Sequence, residues 1–269
     1  MLKRILTAVV GIPLVIAVIV LGNPYLKLAA IIASLIGMFE FYRVVSKQYK
    51  PIVWLGYIAV LVQYIFFEEI FVYYFIYVAI LLIGALTMLV IYYPKRTIAD
   101  IALTILPVFY VSLLFSFVVL IREIPNGTFW IWLIAIAAWG SDTFAYFTGV
   151  TIGKHKLAPN LSPKKTIEGS IGGVIGAGLL GYLYTMIFTH YAMAQLRSYC
   201  VVIVITVMIA AIISQIGDLA ASAIKRFFDQ KDYGNILPGH GGILDRCDSF
   251  IFVAPIIYAV AFFVQGTIR

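Results

Sequence analysis

The sequence predicts an all-α, polytopic membrane protein: a bundle of about nine transmembrane helices, N-terminus in the cytoplasm, C-terminus outside. Three observations carry this prediction. The 269-residue chain is 63% hydrophobic and only 12% charged, with a mean hydropathy of +1.05; soluble domains carry about 25% charged residues. Its apolar runs recur at roughly the 20-residue length that crosses a bilayer core. Its basic residues lie mostly between those runs, where they orient membrane helices.

The runs fall at about 5–22, 25–45, 52–67, 70–93, 98–121, 128–150, 170–190, 199–224 and 249–266. The first has the basic start and apolar body of a signal peptide. Its apolar stretch is too long for one and no small-residue cleavage site follows it, so a retained helix is expected. The third is short. The fifth carries Asp100 and Pro107; a proline kink is tolerated where neighbours satisfy the freed carbonyl. A β-barrel would instead alternate over segments of about 10 residues.

With the N-terminus inside, 15 of the 19 Lys and Arg fall in cytoplasmic connections, and only Lys27, Arg122, Arg197 and Arg269 outside. The opposite orientation inverts this split. The net charge of +7 is thereby explained by orientation, and no nucleic-acid partner is expected. Cys200 and Cys247 form no CxxC pair. This topology puts them on opposite faces, too far apart for a disulfide, so both read as packing residues.

Two polar connections, 151–169 and 225–248, then face the cytoplasm. The second, "KRFFDQKDYGNILPGHGGILDRCD", holds eight charged side chains in 24 residues. Around these connections stand carboxylates that apolar helices should avoid: Asp142 in "WGSDTFAYFTG", Asp218 in "SQIGDLAASAIKR", and Asp245 and Asp248 at the start of the last helix. A charge at a helix centre costs about 2.5–3.5 kcal/mol or more, and its default reading is functional. Bland readings exist for each. Asp245 and Asp248, at i and i+3, suit a helix N-terminus; Asp142 and Asp218 suit ion pairs. Glu40, in "GMFEFYR", suits a pair with Arg43. Against these stands the number of acids at one depth, which repel one another in low dielectric. A divalent cation neutralises them most simply, and carboxylates without a Cys/His set point to Mg²⁺, alone or with a second cation.

Basic residues flank the acids. "GKHKLAPNLSPKKTIEGSIGG" sets Ser162, Lys164 and Lys165 before a helix N-terminus, a natural anion site. Gly169, Gly172, Gly173 and Gly176 follow at packing distances. Lys225 and Arg226 lie about two turns beyond Asp218. "PGHGG", Pro238 to Gly242, offers backbone that can approach a phosphate. Acids, a divalent ion and a basic clamp together form the apparatus of phosphoryl or nucleotidyl transfer.

At this point "SAIKRFFDQKDYGNILPGHGGILDRCD", Ser222 to Asp248, resembles the signature of the phosphatidate cytidylyltransferases (CDP-diacylglycerol synthases). The pattern S-x-aliphatic-K-R, four residues, K-D, then P-x-H-G-G and D-R-x-D is met throughout; Cys247 stands where the family usually has an aliphatic residue or Thr. "SDTFAYFTG" and "LSPKKTIEGSIGG" resemble the same family. The resemblance implies transfer of CMP from CTP to phosphatidic acid in the cell's inner (cytoplasmic) membrane, with Mg²⁺ and a cytoplasmic site. The layout of helices and polar connections divides the chain into N-terminal helices (1–121) and a catalytic region (122–269). The resemblance assigns Asp218 and Asp245 as metal ligands, with Asp142 and Asp248 as further ligands or just behind them. Lys164, Lys165, Lys225, Arg226, Lys231, Arg246 and Ser162 would meet phosphates. His240 would hydrogen-bond a phosphate or carry a proton. A homodimer through the glycine-lined helices is a further expectation. A cation-coupled transporter would place its acids near the midplane of repeated halves, and no repeat is visible. The CDP-alcohol phosphotransferase motif is not matched by "GDLAASAIKR". A CTP-dependent polyprenol kinase stays open on sequence alone.

Overall fold

Apolar segments in a bilayer must satisfy their own backbone hydrogen bonds, and helices do so internally. The computed structural model, which describes residues 2–191, 193–237, 239 and 241–268, is accordingly a helical protein. Its helices are α1 (Leu2–Leu21), α2 (Tyr25–Val45), α3 (Val53–Ile65), α4 (Phe67–Val72), α5 (Tyr74–Tyr92), α6 (Ile98–Pro107), α7 (Leu114–Glu123), α8 (Gly127–Ala135), α9 (Ser141–Ile152), α10 (Ile167–Tyr191), α11 (Cys200–Phe227) and α12 (Leu244–Ile268). Among the described residues, six helical segments are long and apolar enough to cross a membrane: α2, α5, the run Ile98–Glu123, α10, the run Ala194–Phe227 and α12. The expected nine is a larger number. α3 has only 13 residues, and the continuous run from α8 through Ile136–Gly140 to α9 is not among the six.

Two helices are widened by π-helical turns. One, Val108–Leu113, follows Pro107 and joins α6 to α7. The other, Ile136–Gly140, joins α8 to α9 immediately before Ser141 and Asp142. Such turns recur at functional sites. Asp100, the unexpected charge of this region, is a cap. It forms a capping box with Thr97 and accepts from the Lys50 backbone N–H at 2.6 Å, satisfying donors that a helix start leaves open.

The connection between α9 and α10 holds a small antiparallel hairpin that the sequence reading did not anticipate: β1 (Lys156–Ala158) and β2 (Ser162–Thr166), with Lys156 opposite Thr166 and Ala158 opposite Ser162. Strands this short, without apolar alternation, carry little signal. Thr166 Oγ1 then accepts from Gly169 N–H at 3.1 Å and starts α10. The glycines of α10 are used within the chain. A Cβ on Gly173 would stand 2.8 Å from the Ser141 carbonyl, and one on Gly169 2.7 Å from that of Ala145. α9 and α10 therefore pack backbone to backbone, bringing the hairpin beside Asp142.

The buried apolar side chains form two main clusters. One surrounds Trp130, Ile131, Val207 and Val253, from α8, α11 and α12. The other surrounds Met38, Phe41, Val60 and Val111, and also takes in Phe228, Tyr233 and Leu244. The charged stretch after α11 is thus anchored by its own aromatic residues, and Tyr233 is fully buried.

Candidate active site

α11 packs tightly on α12 at Gly217, where a Cβ would lie 3.0 Å from the Asp248 carbonyl and 2.8 Å from Phe252. Only glycine lets the helices meet there, and the approach sets half-buried Asp218 beside Asp248, which is 4% exposed. Gln215, one turn before Asp218, ties three helices together. Its Nε2 donates to Ser141 Oγ and to the Ser170 carbonyl, both at 3.1 Å, and its Oε1 accepts from Ser170 Oγ. That network holds α9, carrying Asp142, and α10, carrying the hairpin, at the level of Asp218. Lys165 of β2 forms an ion pair with Asp218.

The stretch after α11 folds around Asp245. Its Oδ2 accepts from the backbone N–H of Tyr233 (2.8 Å), Gly242 (3.0 Å) and Gly234 (3.4 Å). Its Oδ1 accepts from Lys225 Nζ at 2.7 Å, and that ammonium also lies 5.2 Å from the centre of the Tyr233 ring. Asp248 Oδ1 accepts from the Ser249 backbone N–H at 2.7 Å.

These elements enclose a cavity of about 260 Å³ lined by Trp139, Asp142, Asp218, Lys225, Asp232, Asp245, Arg246, Asp248 and Ser249. Drug-sized ligands fill about 300–1,000 Å³, so the space suits the phosphate part of a ligand. All four predicted aspartates line it, as do Lys225 and Arg246, and Lys165 reaches it through Asp218. Lys164, Arg226 and Lys231 are exposed outside that lining, with Arg226 donating to the Gln230 carbonyl at 3.2 Å. Ser162 is half-buried at the start of β2 and does not line the cavity. His240 and Pro238 lie outside the described residues.

The donor chemistry suits a hard divalent cation: carboxylate oxygens, with no Cys or His among the lining residues. Among the described residues, no three acidic, His or Cys side chains converge as placed to hold an ion. Lysines neutralise two of the acids, Lys165 on Asp218 and Lys225 on Asp245. Asp142 has no hydrogen-bond or ion-pair partner among the described residues and faces the cavity. A cation at this donor set is chemically compatible with the residues present.

One reading changes and three lining residues are added. Glu40 does not pair with Arg43. It is fully buried and accepts from the backbone N–H groups of Ile243 (3.1 Å) and Leu244 (2.9 Å), while Arg43 donates to the Tyr233 carbonyl at 2.8 Å. The i+3 spacing permitted the local pair, but uncapped helix N–H groups outcompete an exposed arginine for a buried anion. Asp232, Trp139 and Ser249 were not anticipated as lining residues. Asp232 is the acid of the K-D step in the signature, and Trp139 lies three residues before Asp142, so both had a readable signal. Cys200 and Cys247 are free thiols, as expected.

Comparison with known proteins extends over the same elements. A family model described as the cytidylyltransferase family matches residues 2–264. Phosphatidate cytidylyltransferase of Bacillus subtilis (strain 168) is 34% identical, over 96% of each chain. The protein of that name from Thermotoga maritima is 34% identical over 65% of this chain and 64% of its own. That of Rickettsia bellii is 40% identical over 56% of this chain and 64% of its own. Because the family match runs from α1 into α12 and includes every element that builds the acid-lined cavity, the chain belongs to the cytidylyltransferase family.

Proposed function

We propose that this enzyme is a phosphatidate cytidylyltransferase: it transfers CMP from CTP to phosphatidic acid and yields CDP-diacylglycerol and pyrophosphate. The observation that carries this reading is the juxtaposition of Asp142, Asp218 and Asp248 with Lys225 and Arg246 around one cavity, in a chain whose relatives bear that name. A lipid phosphate oxygen attacks the α-phosphorus of CTP. The bond to the α–β bridging oxygen breaks and pyrophosphate leaves. The nucleophile is already an anion near neutral pH, so the protein must chiefly hold two polyanions together and stabilise the leaving group.

Lys165, Lys225 and Arg246 are the cations nearest that work; Lys164, Arg226, Lys231 and Ser162 serve the outer phosphates. His240 donates a hydrogen bond to a phosphate. Asp218 and Asp248, with Asp142, would hold Mg²⁺, alone or with a second cation. Bound there, it would neutralise phosphate charge. Asp245, engaged by three backbone N–H groups and Lys225, contributes mainly by keeping the loop and the ammonium in place. Lys165 exchanges Asp218 for a phosphate when nucleotide enters.

The orientation belongs to the same reading: nine spans, N-terminus inside, and the cavity on the cytoplasmic face of a bacterial inner membrane, where CTP is. The 15-to-4 division of Lys and Arg supports it. A homodimer would use α5, in which 11% of the residues along its apolar span are buried, rather than the glycine seam already covered by α9. The kinase and transporter alternatives have no support in the family match.

The test uses purified protein with phosphatidic acid and CTP labelled at either the α- or the γ-phosphorus. Transfer of CMP moves the α label into lipid and leaves the γ label in pyrophosphate. Appearance of the γ label in lipid would make the enzyme a kinase and overturn the proposal.

A further inference from the structure

Glu40 is fully buried in the C-terminal part of an apolar helix. A buried carboxylate needs donors, and its donors are 203 and 204 residues away, the Ile243 and Leu244 N–H groups at the start of α12. A helix leaves its first N–H groups without internal acceptors and carries partial positive charge at that end. α12 therefore takes its cap from a different helix. The fit is tight: a Cβ on Gly234 or on Gly242 would collide with the Glu40 carboxylate. Two separate points of the charged stretch, Gly234 and Gly242, thus close on this one side chain.

The neighbouring residues of α2 act on the same stretch. Arg43 Nη2 donates to the Tyr233 carbonyl at 2.8 Å, and the Phe41 ring lies stacked on the Tyr233 ring with centroids 6.3 Å apart. Tyr233 N–H is in turn bound to Asp245. A chain of contacts thus runs from one turn of α2, through Tyr233 and the first turn of α12, to Asp245 and Asp248. Neither Glu40 nor Arg43 lines the cavity.

From this geometry we infer that Glu40 and Arg43 are positioning residues for the transfer. Glu40 sets the first turn of α12, and with it the aim of Asp245 and Asp248. Arg43 pins the preceding loop at Tyr233. The inference rests on reading the cavity as the nucleotide site.

The experiment combines kinetics with backbone hydrogen exchange on the full chain in detergent micelles. Glu40→Gln keeps the shape but removes the charge and turns an amide NH₂ toward an N–H donor. Arg43→Ala alters an exposed side chain and tests the clamp even if Glu40→Gln does not fold. In Glu40→Gln, exchange over residues 241–247 should quicken roughly tenfold or more while residues 203–215 stay unchanged, and kcat should fall about tenfold or more with KM for CTP little altered. In Arg43→Ala, the quickening should be confined to about residues 230–237, with a smaller loss of kcat. Exchange that rises equally throughout α2, α11 and α12, with activity falling only as folded protein is lost, would reduce Glu40 to a general stability residue and overturn the inference. So would wild-type kcat and wild-type exchange in both variants. If wild-type protein fails to transfer CMP, the proposed function falls, while the regional exchange pattern still decides whether the clamp exists.

Discussion

Lys225 Nζ and Asp245 Oδ1 meet at 2.7 Å where α11 ends and α12 begins, their side chains 11% and 2% exposed. The pair closes the charged loop and also presents the lysine to the acid-lined cavity. Breaking a buried pair from one side costs about 3–5 kcal/mol, because the partner is left uncompensated; replacing both members can be nearly neutral.

That asymmetry separates structure from chemistry. Lys225→Met and Asp245→Asn should each lower Tm in detergent and abolish most CMP transfer. The double variant should regain much of the Tm but not the activity, since the cavity still lacks its ammonium. Activity returning together with Tm would mean that the pair serves folding alone.

For the proposed metal, Asp218→Asn and Asp248→Asn should leave folded, extractable protein with no measurable turnover. EDTA should stop the wild type, and added Mg²⁺ should restore it. Near-normal turnover in either variant would remove that residue from the ion's ligands.

Adjacent lysines provide an internal control. Lys165 pairs with Asp218, whereas Lys164 is exposed. Lys165→Ala should lose roughly 10²-fold in kcat/KM, comparable to removing one donor to a developing anion. Lys164→Ala should lose far less. Equal effects from the two variants would indicate a general field of positive charge rather than a placed contact.

The proposed orientation is open to thiol labelling once Cys200 and Cys247 have been replaced by alanine. Cysteines introduced as Lys50→Cys, Lys156→Cys and Asn235→Cys should react with an impermeant reagent only from the cytoplasmic side, and one introduced as Arg122→Cys only from outside. Reaction of all four from one side would refute the arrangement of spans.

The apolar runs by themselves determined the helical class and most helix positions. The run at 25–45 is α2, and the run at 170–190 lies inside α10. Burial of apolar surface and closure of backbone hydrogen bonds are local demands, so a local pattern records them. The acids of the cavity were legible for a related reason: a carboxylate in or beside a membrane helix stands out wherever its partner lies. Tertiary structure alone decided which partner each charge took. Glu40 had a suitable arginine three residues away and instead caps a helix 203 residues on. Asp245, which the resemblance assigns as a metal ligand, gathers three loop N–H groups and Lys225. Lys165 lies on a hairpin too short to predict, and the packing of α9 on α10 together with the Gln215 network brings it to Asp218. Spacing along the chain lists the neighbours a charge can reach within a turn. Which buried donor most needs an acceptor is settled only after the helices have packed.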